Sequence, residues 1–240
     1  MKSFFSSNNL KAGYGSGDIL KGISFDLEKG KVMTVIGPNG SGKSTLIKTL
    51  AGLLKPSSGE IYINGKSIAS YTSPQRIKLG VSYVPQEYNV FRNMTVKENL
   101  QLANEFMKRT KERKKQIIDD ELLQLFPELT SKFDALAGNL SGGQRQMVAF
   151  ACALAYKPEI LLLDEPSAGL SPKYMGDIFL AVKKVNELGV TIFMVEQNAI
   201  EALQISDKCI VMTNGSVKFI SDPRSLMQSG DLNSLYLGNV

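Results

Sequence analysis

The stretch GPNGSGKST, from Gly37 to Thr45, decides the fold of this 240-residue chain. It matches the pattern G-x-x-x-x-G-K-[ST], and it lies between the apolar run KVMTVIG and the helix-like run KSTLIKTLAGLL. Such a loop turns backbone N–H groups inward around a polyphosphate, and glycines at Gly40 and Gly42 leave room for that turn. We therefore predict a phosphate-binding loop between a buried strand and a helix whose positive end faces the phosphates.

The side chains of this loop suit a nucleotide with a metal ion. Lys43 is expected to reach the β- and γ-phosphates, and the Ser44 hydroxyl is expected to ligate Mg²⁺. A glycine turn that matches by chance is the alternative, and the strand before it and the helix after it disfavour that interpretation. The residues predicted to contact the nucleotide here are Gly37, Pro38, Asn39, Gly40, Ser41, Gly42, Lys43, Ser44 and Thr45.

Strand-like and helix-like runs alternate along the chain and predict an α/β fold. The short apolar runs KVMTVIG, ILLLD and VTIFMV are typical of buried parallel strands, and amphipathic runs separate them. Asn64-Gly65 and Asn214-Gly215 each predict a two-residue hairpin. From about Val96 to Phe126 the pattern is helical and charged. We predict a P-loop NTPase core, a mostly parallel sheet with flanking helices, with an N-terminal antiparallel β subdomain and an inserted helical subdomain.

Composition excludes several kinds of site. The chain has no histidine, so imidazole general bases, histidine zinc ligands and Ser-His-Asp triads are excluded. Cys152 and Cys209 lie in apolar surroundings and predict buried free thiols in a reducing compartment. The net charge of +5 is mild. The basic run KRTKERKK, Lys108 to Lys115, is typical of a solvated face, with nucleic-acid or headgroup contact as alternatives.

Targeting signals are not predicted. The first ten residues lack the apolar centre of a signal peptide, and no apolar run approaches the ~18 residues that span a bilayer. We therefore expect a soluble chain, with any membrane spans supplied by another protein.

Two carboxylates follow the apolar run ILLLD in ILLLDEP, Ile160 to Pro166. Asp164 is placed to hold Mg²⁺ through water, and Glu165, one residue further, to orient or deprotonate an attacking water. An acidic pair after a strand can also simply cap the next turn. Beside a phosphate loop in the same chain, the catalytic interpretation is favoured.

A second helix start, NLSGGQRQM from Asn139 to Met147, also suits an anion. Ser141, Gly142 and Gly143 precede an apolar helix and predict an exposed amino terminus with an open approach. One chain needs only one loop to cradle a triphosphate, so this stretch is predicted to complete a nucleotide bound by another chain. The alternative is a plain helix cap.

These features together resemble the ATP-binding subunits of ABC transporters over nearly the whole chain. The landmarks occur in order, namely Tyr14 in GYGSGDIL, the phosphate loop, Gln86 in YVPQ, LSGGQ at Leu140 to Gln144, and LLLDEP. The resemblance implies that Tyr14 stacks on adenine and that Gln86 contacts Mg²⁺ or the attacking water. It implies that Ser141 and Gly143 meet the γ-phosphate held by the opposite subunit, and that the stretch of Ser141, Gly142, Gly143 and Gln144 closes over that nucleotide.

Two positions depart from the family pattern. Ser171 stands where an aspartate is usual, and Gln197, in FMVEQNAIEAL, stands where a histidine usually faces the γ-phosphate. The Gln197 carboxamide still donates a hydrogen bond but holds no positive charge, so proton transfer would fall to Glu165 or to the substrate. Alternatively, Gln197 only caps the helix predicted at 198–205. The implied catalytic residues are Lys43, Gln86, Glu165 and Gln197, and the implied metal ligands are Ser44, Gln86 and Asp164.

Several sub-motifs are similar to the second ATPase subunit of branched-chain amino acid importers: VEQNA, EPSAGLSP, AGNLSGGQRQM, FRNMTVKENL and the terminal YLG. The resemblance implies one domain over 1–240, with a nucleotide-binding lobe and β subdomain at 1–87 and 157–240 and a helical lobe at 88–156. It also implies ATP and Mg²⁺, a head-to-tail dimer with the same or a homologous ATPase chain, integral membrane permease subunits, and indirectly a solute-binding protein.

The same resemblance implies a cytoplasmic location, peripheral on the inner face of the cell membrane, without nucleic acid. YNVF, Tyr88 to Phe91, offers apolar groups to a membrane partner, or else forms a small core cluster under its loop. The alternatives are an ATPase for an exporter of lipid or drug, and a non-transport ABC protein acting on DNA or ribosomes. The single phosphate loop and the lack of sustained heptads after Gln86 disfavour the latter.

Overall fold

The computed structural model describes residues 3–15, 17–108 and 125–228. Its strands, in chain order, are β1 (Phe5–Ala12), β2 (Leu20–Leu27), β3 (Val32–Ile36), β4 (Ser58–Ile63), β5 (Lys66–Ser67), β6 (Val81–Val84), β7 (Ile160–Asp164), β8 (Thr191–Val195), β9 (Lys208–Thr213) and β10 (Ser216–Ser221). Its helices are α1 (Lys43–Leu50), α2 (Ser73–Lys78), α3 (Val96–Lys108), α4 (Pro127–Thr130), α5 (Gly142–Leu154), α6 (Pro172–Glu187), α7 (Ala199–Gln204) and α8 (Pro223–Gln228), with a 3-10 turn at Ala137–Asn139.

The predicted helical segment from Val96 to Phe126 is only partly described. α3 confirms its first half, and residues 109–124 lie outside the described residues. The basic run from Lys108 to Lys115 also lies outside the described residues, apart from the backbone of Lys108. The terminal YLG lies outside them as well.

The amino-terminal strands form an antiparallel sheet, as predicted. Its order is β2-β1-β4-β5, and Phe5 of β1 lies opposite both Leu27 and Ile63. The aromatic rings of Phe5 and Phe25 approach Phe193 of β8, with centroids 6.4 and 4.9 Å away. Because aromatic rings bury large apolar areas, this cluster fixes the small sheet against the main one.

The main sheet has the order β10-β9-β3-β8-β7-β6. All neighbours from β9 to β6 are parallel, and β10 pairs antiparallel with β9 at the edge. Every residue of β3, β7 and β8 is buried, as expected for strands covered on both faces. The carboxyl ends of β3, β8, β7 and β6 therefore lie side by side, where open α/β sheets bind ligands.

Both predicted hairpins are confirmed. The turn at Asn64-Gly65 joins β4 to β5, and the turn at Asn214-Gly215 joins β9 to β10. In each pair both residues have positive φ, from 49° to 81°, which is the conformation that two-residue hairpins select Asn-Gly to adopt.

The helices complete two large apolar cores, one on each side of the main sheet, and α7 and α8 contribute to a third, smaller cluster with β3 and β9. α3, α4 and α5 come between β6 and β7 in the chain, and their buried side chains pack with those of α6 on one face. α1 packs on the opposite face together with the small sheet. The inserted helical elements are therefore confirmed as an addition to a P-loop core.

A fully buried arginine, Arg76 of α2, caps the carboxyl end of α1, the helix that follows the phosphate loop. The Arg76 guanidinium donates to the carbonyl oxygens of Thr49 and Leu50 at 2.7 and 2.6 Å, and also to those of Tyr71 and Ala69. The carbonyls at a helix carboxyl end lack partners within the helix and carry partial negative charge, so this cation stabilises the end of α1.

The cysteines are free, as predicted, and burial raises the pKa of both thiols to about 12. Over residues 3–15, 17–108 and 125–228, no helix combines the length and apolar character that a bilayer crossing demands.

Candidate nucleotide site

The glycines of the Gly37 to Thr45 loop are required for different reasons. Gly40 and Gly42 have φ of 78° and 98°, in the left-handed region, and Gly42 is the N-cap of α1. No atom lies within 4 Å of a Cβ placed on Gly40, so conformation rather than space selects glycine there. Space is the constraint at Gly37, where a Cβ would collide with the carbonyl oxygen of Met212. That Gly40 also leaves room for a polyphosphate stays a prediction.

Lys43 lies buried at the first position of α1. Its Nζ donates to the carbonyl oxygens of Gly37 and Pro38 at 2.9 and 3.2 Å, so the ammonium group lies across the loop. Burial lowers its pKa, and the nearby carboxylates Glu165 and Asp164 oppose that effect. A desolvated ammonium group held by weak neutral acceptors is available for a polyphosphate.

Other polar side chains of the loop are also left for a ligand. Ser41 Oγ is buried and has no hydrogen-bond partner within the part of the chain that the structure describes. Ser44 is half-buried and follows Lys43 in the first turn of α1, whereas Asn39 is exposed and Thr45 faces the core. The helix amino terminus therefore combines a cation, two hydroxyls and free N–H groups, which suits phosphate oxygens.

Asp164 is the last residue of β7, and only one of its two carboxylate oxygens accepts a hydrogen bond from the described residues. The Tyr83 hydroxyl donates to its Oδ2 at 2.9 Å, and the buried Oδ1 has no partner among the described residues. Burial raises the pKa of this carboxyl, while the Tyr83 hydrogen bond and Lys48 act in the opposite direction. A buried carboxylate oxygen with no partner fits a cation or its bound water, so the residues present fit Mg²⁺.

Glu165 is fixed by its backbone to the neighbouring strand. Its φ is 44°, and its N–H donates to the Val195 carbonyl oxygen at 3.0 Å. Its Oε2 accepts from Gln86 Nε2 at 3.3 Å, although the two residues lie far apart in the sequence. A non-glycine residue in the left-handed region is uncommon and is frequent at active sites. Three predicted site residues, Gln86, Asp164 and Glu165, therefore meet at one edge of the sheet.

Gln197 follows β8 at the same edge and is exposed. The N-cap of α7 is Asn198, so the interpretation of Gln197 as the cap of that helix is wrong. The Gln197 N–H donates to Glu196 Oε2 at 3.1 Å.

Glu196 was missed by the sequence predictions. It is fully buried, and its carboxylate accepts from the Ser167 N–H and hydroxyl, both at 2.9 Å, and from the N–H groups of Gln197 and Asn198 at 3.1 and 3.4 Å. Burial raises its pKa to about 7, although these hydrogen bonds lower it. Its phase gave no signal, because β8 is buried on both faces and either phase would place a following residue in the interior.

The LSGGQ stretch starts α5 with a reciprocal cap. Ser141 Oγ accepts from the Gln144 N–H at 3.2 Å, and Gln144 Oε1 accepts from the Ser141 N–H at 3.1 Å. Gly142 is exposed, as predicted. The predicted open approach is wrong for Gly143, which is buried, because a Cβ there would lie 2.5 Å from the ring of Tyr174.

Tyr14 is half exposed, at 54%, on the loop between β1 and β2. That loop returns beside the phosphate loop, because Ile19 and Leu20 lie 3.4 and 3.2 Å from a Cβ placed on Gly42. The Tyr14 ring is therefore exposed on a loop whose later residues contact the phosphate loop. Ser171, the other departure from the family pattern, is the exposed N-cap of α6.

Comparison with known proteins agrees with this geometry. The ABC transporter family model matches residues 20–168. The chain belongs to this family. It is 44% identical over 96% of its length to "Probable branched-chain amino acid transport ATP-binding protein LivF" of Archaeoglobus fulgidus, of which it covers 97%. It is 38% identical over 94% of its length to "High-affinity branched-chain amino acid transport ATP-binding protein BraG" of Pseudomonas aeruginosa, of which it covers 95%.

A solved structure is similar to this ABC subunit at the level of the whole chain. It is the dimeric post-hydrolysis state of the ATP-binding cassette MJ0796 bound to ADP and Pi, with a TM-score of 0.79 and 27% identity. The match covers 91% of this chain and 98% of that one. The predictions of the family, of the P-loop NTPase fold and of an ATP-hydrolysing subunit are therefore confirmed.

Proposed function

We propose that this ABC subunit hydrolyses ATP to drive an importer of branched-chain amino acids. One observation supports ATP hydrolysis at this site: the carboxyl edge of the main sheet brings together Lys43, Gln86, Asp164 and Glu165. The solute is supported by the two relatives named above and by the sub-motifs of the sequence, since no residue of an ATPase subunit needs to contact the cargo.

ATP binding rests on the phosphate loop. The N–H groups at the start of α1 and the Lys43 ammonium group would hold the β- and γ-phosphates, and Tyr14 would stack on the adenine. Ser44, Gln86 and Asp164 would hold Mg²⁺, which supplies charge neutralisation on the phosphates. The buried, unpaired Asp164 Oδ1 supports this assignment because it otherwise lacks a partner.

Hydrolysis needs a base and an oriented water. Glu165 would accept a proton from water as the water oxygen bonds to the γ-phosphorus, and the bond from that phosphorus to the bridging oxygen of ADP breaks. Gln86 would orient the Glu165 carboxylate through the contact at 3.3 Å. Gln197 would donate from its carboxamide to a γ-phosphate oxygen, without the positive charge of an imidazolium.

The assembly is proposed to be a head-to-tail pair with an identical or homologous ATPase chain. The partner's LSGGQ helix start would close over the nucleotide, and the reciprocal cap of Ser141 and Gln144 keeps that helix start preformed. The dimeric cassette similar to this chain supports such a pair.

The contact with integral membrane permease subunits is proposed for the helical lobe at 88–156, with the rest of the chain forming the nucleotide-binding lobe. Tyr88 and Phe91 are 89% and 57% exposed there, which supports a partner, whereas Val90 between them packs against the core, as the alternative interpretation expected. We place the chain at the cytoplasmic face of the cell membrane, with a solute-binding protein acting from the other side and no nucleic acid involved.

Two variants test this function. Glu165→Gln keeps every phosphate contact and removes the base, so it is expected to lower kcat by about 10²–10⁴-fold and to trap an ATP-bound dimer. Lys43→Ala is expected to weaken ATP binding itself. Glu187→Gln, an exposed glutamate at the end of α6, is the matched control and should leave both unchanged. Dimerisation is measured by light scattering, and ATPase activity by phosphate release.

The cargo is tested with the chain assembled with its membrane subunits in vesicles. ATP-dependent uptake of leucine, isoleucine or valine that Glu165→Gln abolishes is the expected result. An ATPase-active complex that moves lipid outward would instead favour an exporter. A Glu165→Gln protein that stays monomeric in saturating Mg-ATP, with every candidate ATPase partner present, contradicts the paired site.

A further inference from the structure

Glu196 lies directly behind the proposed site but takes no part in the chemistry described above. We propose that Glu196 is a positioning residue, which holds the turn after β7 and the loop after β8 together so that Glu165 and Gln197 face the same γ-phosphate. This inference rests on the proposed ATPase function and adds a residue to it.

The hydrogen bonds of Glu196 connect these two loops and little else. Its Oε1 and Oε2 accept from the N–H and hydroxyl of Ser167, which is two residues after Glu165. Its Oε2 also accepts from the N–H groups of Gln197 and Asn198 at 3.1 and 3.4 Å. A single buried side chain thus fixes both the turn that carries the base and the loop that carries the phosphate-facing amide.

Asn198 closes the network from the other side. Its Nδ2 donates to Ser167 Oγ at 2.8 Å, so that hydroxyl accepts from Asn198 and donates to Glu196. The backbone bond from Glu165 to Val195 joins the same two strand ends one step earlier. Because every member of the network is satisfied, its geometry is rigid in a way that a half-satisfied network would not be.

The carboxylate is chemically necessary for this arrangement. Four donors converge on its two oxygens, and a carboxylate has the lone pairs to accept them all. A glutamine offers only one oxygen, and its amide nitrogen would oppose the Ser167 or loop N–H groups. Burying a carboxylate is costly, and these donors are neutral groups rather than a salt-bridge partner. A carboxyl group buried at such a cost beside catalytic groups points to a role in the site.

The test uses the full chain assembled with its membrane subunits. In Glu196→Gln, kcat is expected to fall about 10–100-fold, because small displacements of catalytic groups have effects of this size. KM for ATP and the affinity for a non-hydrolysable ATP analogue should change by no more than about twofold, since the phosphate loop is untouched. Glu187→Gln removes an equivalent charge from an exposed site and should match the wild type.

A double-mutant cycle separates positioning from general destabilisation. If Glu196 acts through the Gln197 loop, the loss of kcat in Glu196→Gln with Gln197→Ala should be smaller than the product of the two single losses. The proposal is overturned if the loss of kcat in the double variant equals the product of the two single losses. It is also overturned if the kcat of Glu196→Gln lies within about twofold of the wild type.

A second variant decides the matter if Glu196→Gln does not fold. Ser167→Ala removes only the hydroxyl that joins Glu196 to Asn198, and it should lower kcat about tenfold at unchanged KM. Wild-type kcat in Ser167→Ala then overturns the proposal. A wild-type complex that neither binds nor hydrolyses ATP would instead refute the proposed function itself, so the two failures are distinguishable.

Discussion

Tyr83 is expected to set the Mg²⁺ requirement of the ATPase reaction. Its hydroxyl donates to Asp164 Oδ2 at 2.9 Å, which leaves Oδ1 as the unpaired oxygen available to the ion. Tyr83→Phe keeps the ring that packs beneath the site and removes this single hydrogen bond. Asp164 would then keep a second buried oxygen without its donor, and the carboxylate would lose the contact that fixes its orientation.

The magnitude follows from the strength of that bond. A hydrogen bond to an ionised acceptor contributes about 1.5–3 kcal/mol. Each 1.4 kcal/mol changes an equilibrium tenfold, so the free Mg²⁺ needed for half-maximal activity should rise about 10–100-fold. The same loss should raise the pKa of Asp164 above its already raised value. At saturating Mg²⁺, kcat should change by less than about threefold, because Glu165 and Lys43 are unaltered.

The assay is phosphate release by the full complex as a function of free Mg²⁺ at fixed ATP. Tyr71→Phe is the matched control, because its ring lies under the Lys66 ammonium group at the small sheet and that contact needs no hydroxyl. Circular dichroism confirms that each variant is folded. A folded Tyr83→Phe protein with wild-type Mg²⁺ dependence would refute the reasoning that Tyr83 orients a metal-holding carboxylate.

Two further predictions concern stability. Arg76→Met leaves four carbonyl oxygens without the guanidinium and should lower the free energy of unfolding by about 3–5 kcal/mol in urea titrations. The control Arg224→Met, at an exposed position, should change it by less than about 0.5 kcal/mol. Equal effects of the two substitutions would contradict the capping role of Arg76. The pKa of Glu196 is about 7 in the fold, above its usual 4.5, so its stabilising contribution is full below pH 4.5 and is lost as pH rises through 7, by at most about 3 kcal/mol. Lys43 is a nearby cation, and the Glu196 carboxylate acts to raise its pKa. The wild-type minus Glu196→Gln difference in unfolding free energy should therefore be more positive at pH 5 than at pH 8, and a pH-independent difference would contradict the raised pKa.

The parts of the site that the sequence predicted are those set by local chemistry. The phosphate loop, the acidic pair after β7 and both Asn-Gly hairpins depend on residues within a few positions of one another. The position of Gln86 beside Glu165 also followed, because the resemblance placed both after parallel strands that prove to be neighbours.

The parts that were missed depend on contacts between residues far apart in the chain. In the sequence, Tyr83 resembles any aromatic residue of a strand. Only the pairing of β6 with β7 brings its hydroxyl to Asp164. Gly143 reads as an open phosphate contact until α6 packs Tyr174 against it. Each partner lies tens of residues away, so no pattern within a short window could have specified it.

Because the chain has no histidine, the roles of Glu196 and Gln197 at the end of β8 have to be considered together. At the end of β8, the N–H groups of Gln197 and Asn198 both point to the Glu196 carboxylate and therefore cannot point to a phosphate. The exposed Gln197 carboxamide offers a donor at this position, and its strength does not change with pH. A carboxyl group with a pKa of about 7 lies immediately behind it. A kinetic titration near neutral pH in this ATPase would therefore report the buried glutamate that holds the loop, where a relative with histidine would report the phosphate-facing residue itself.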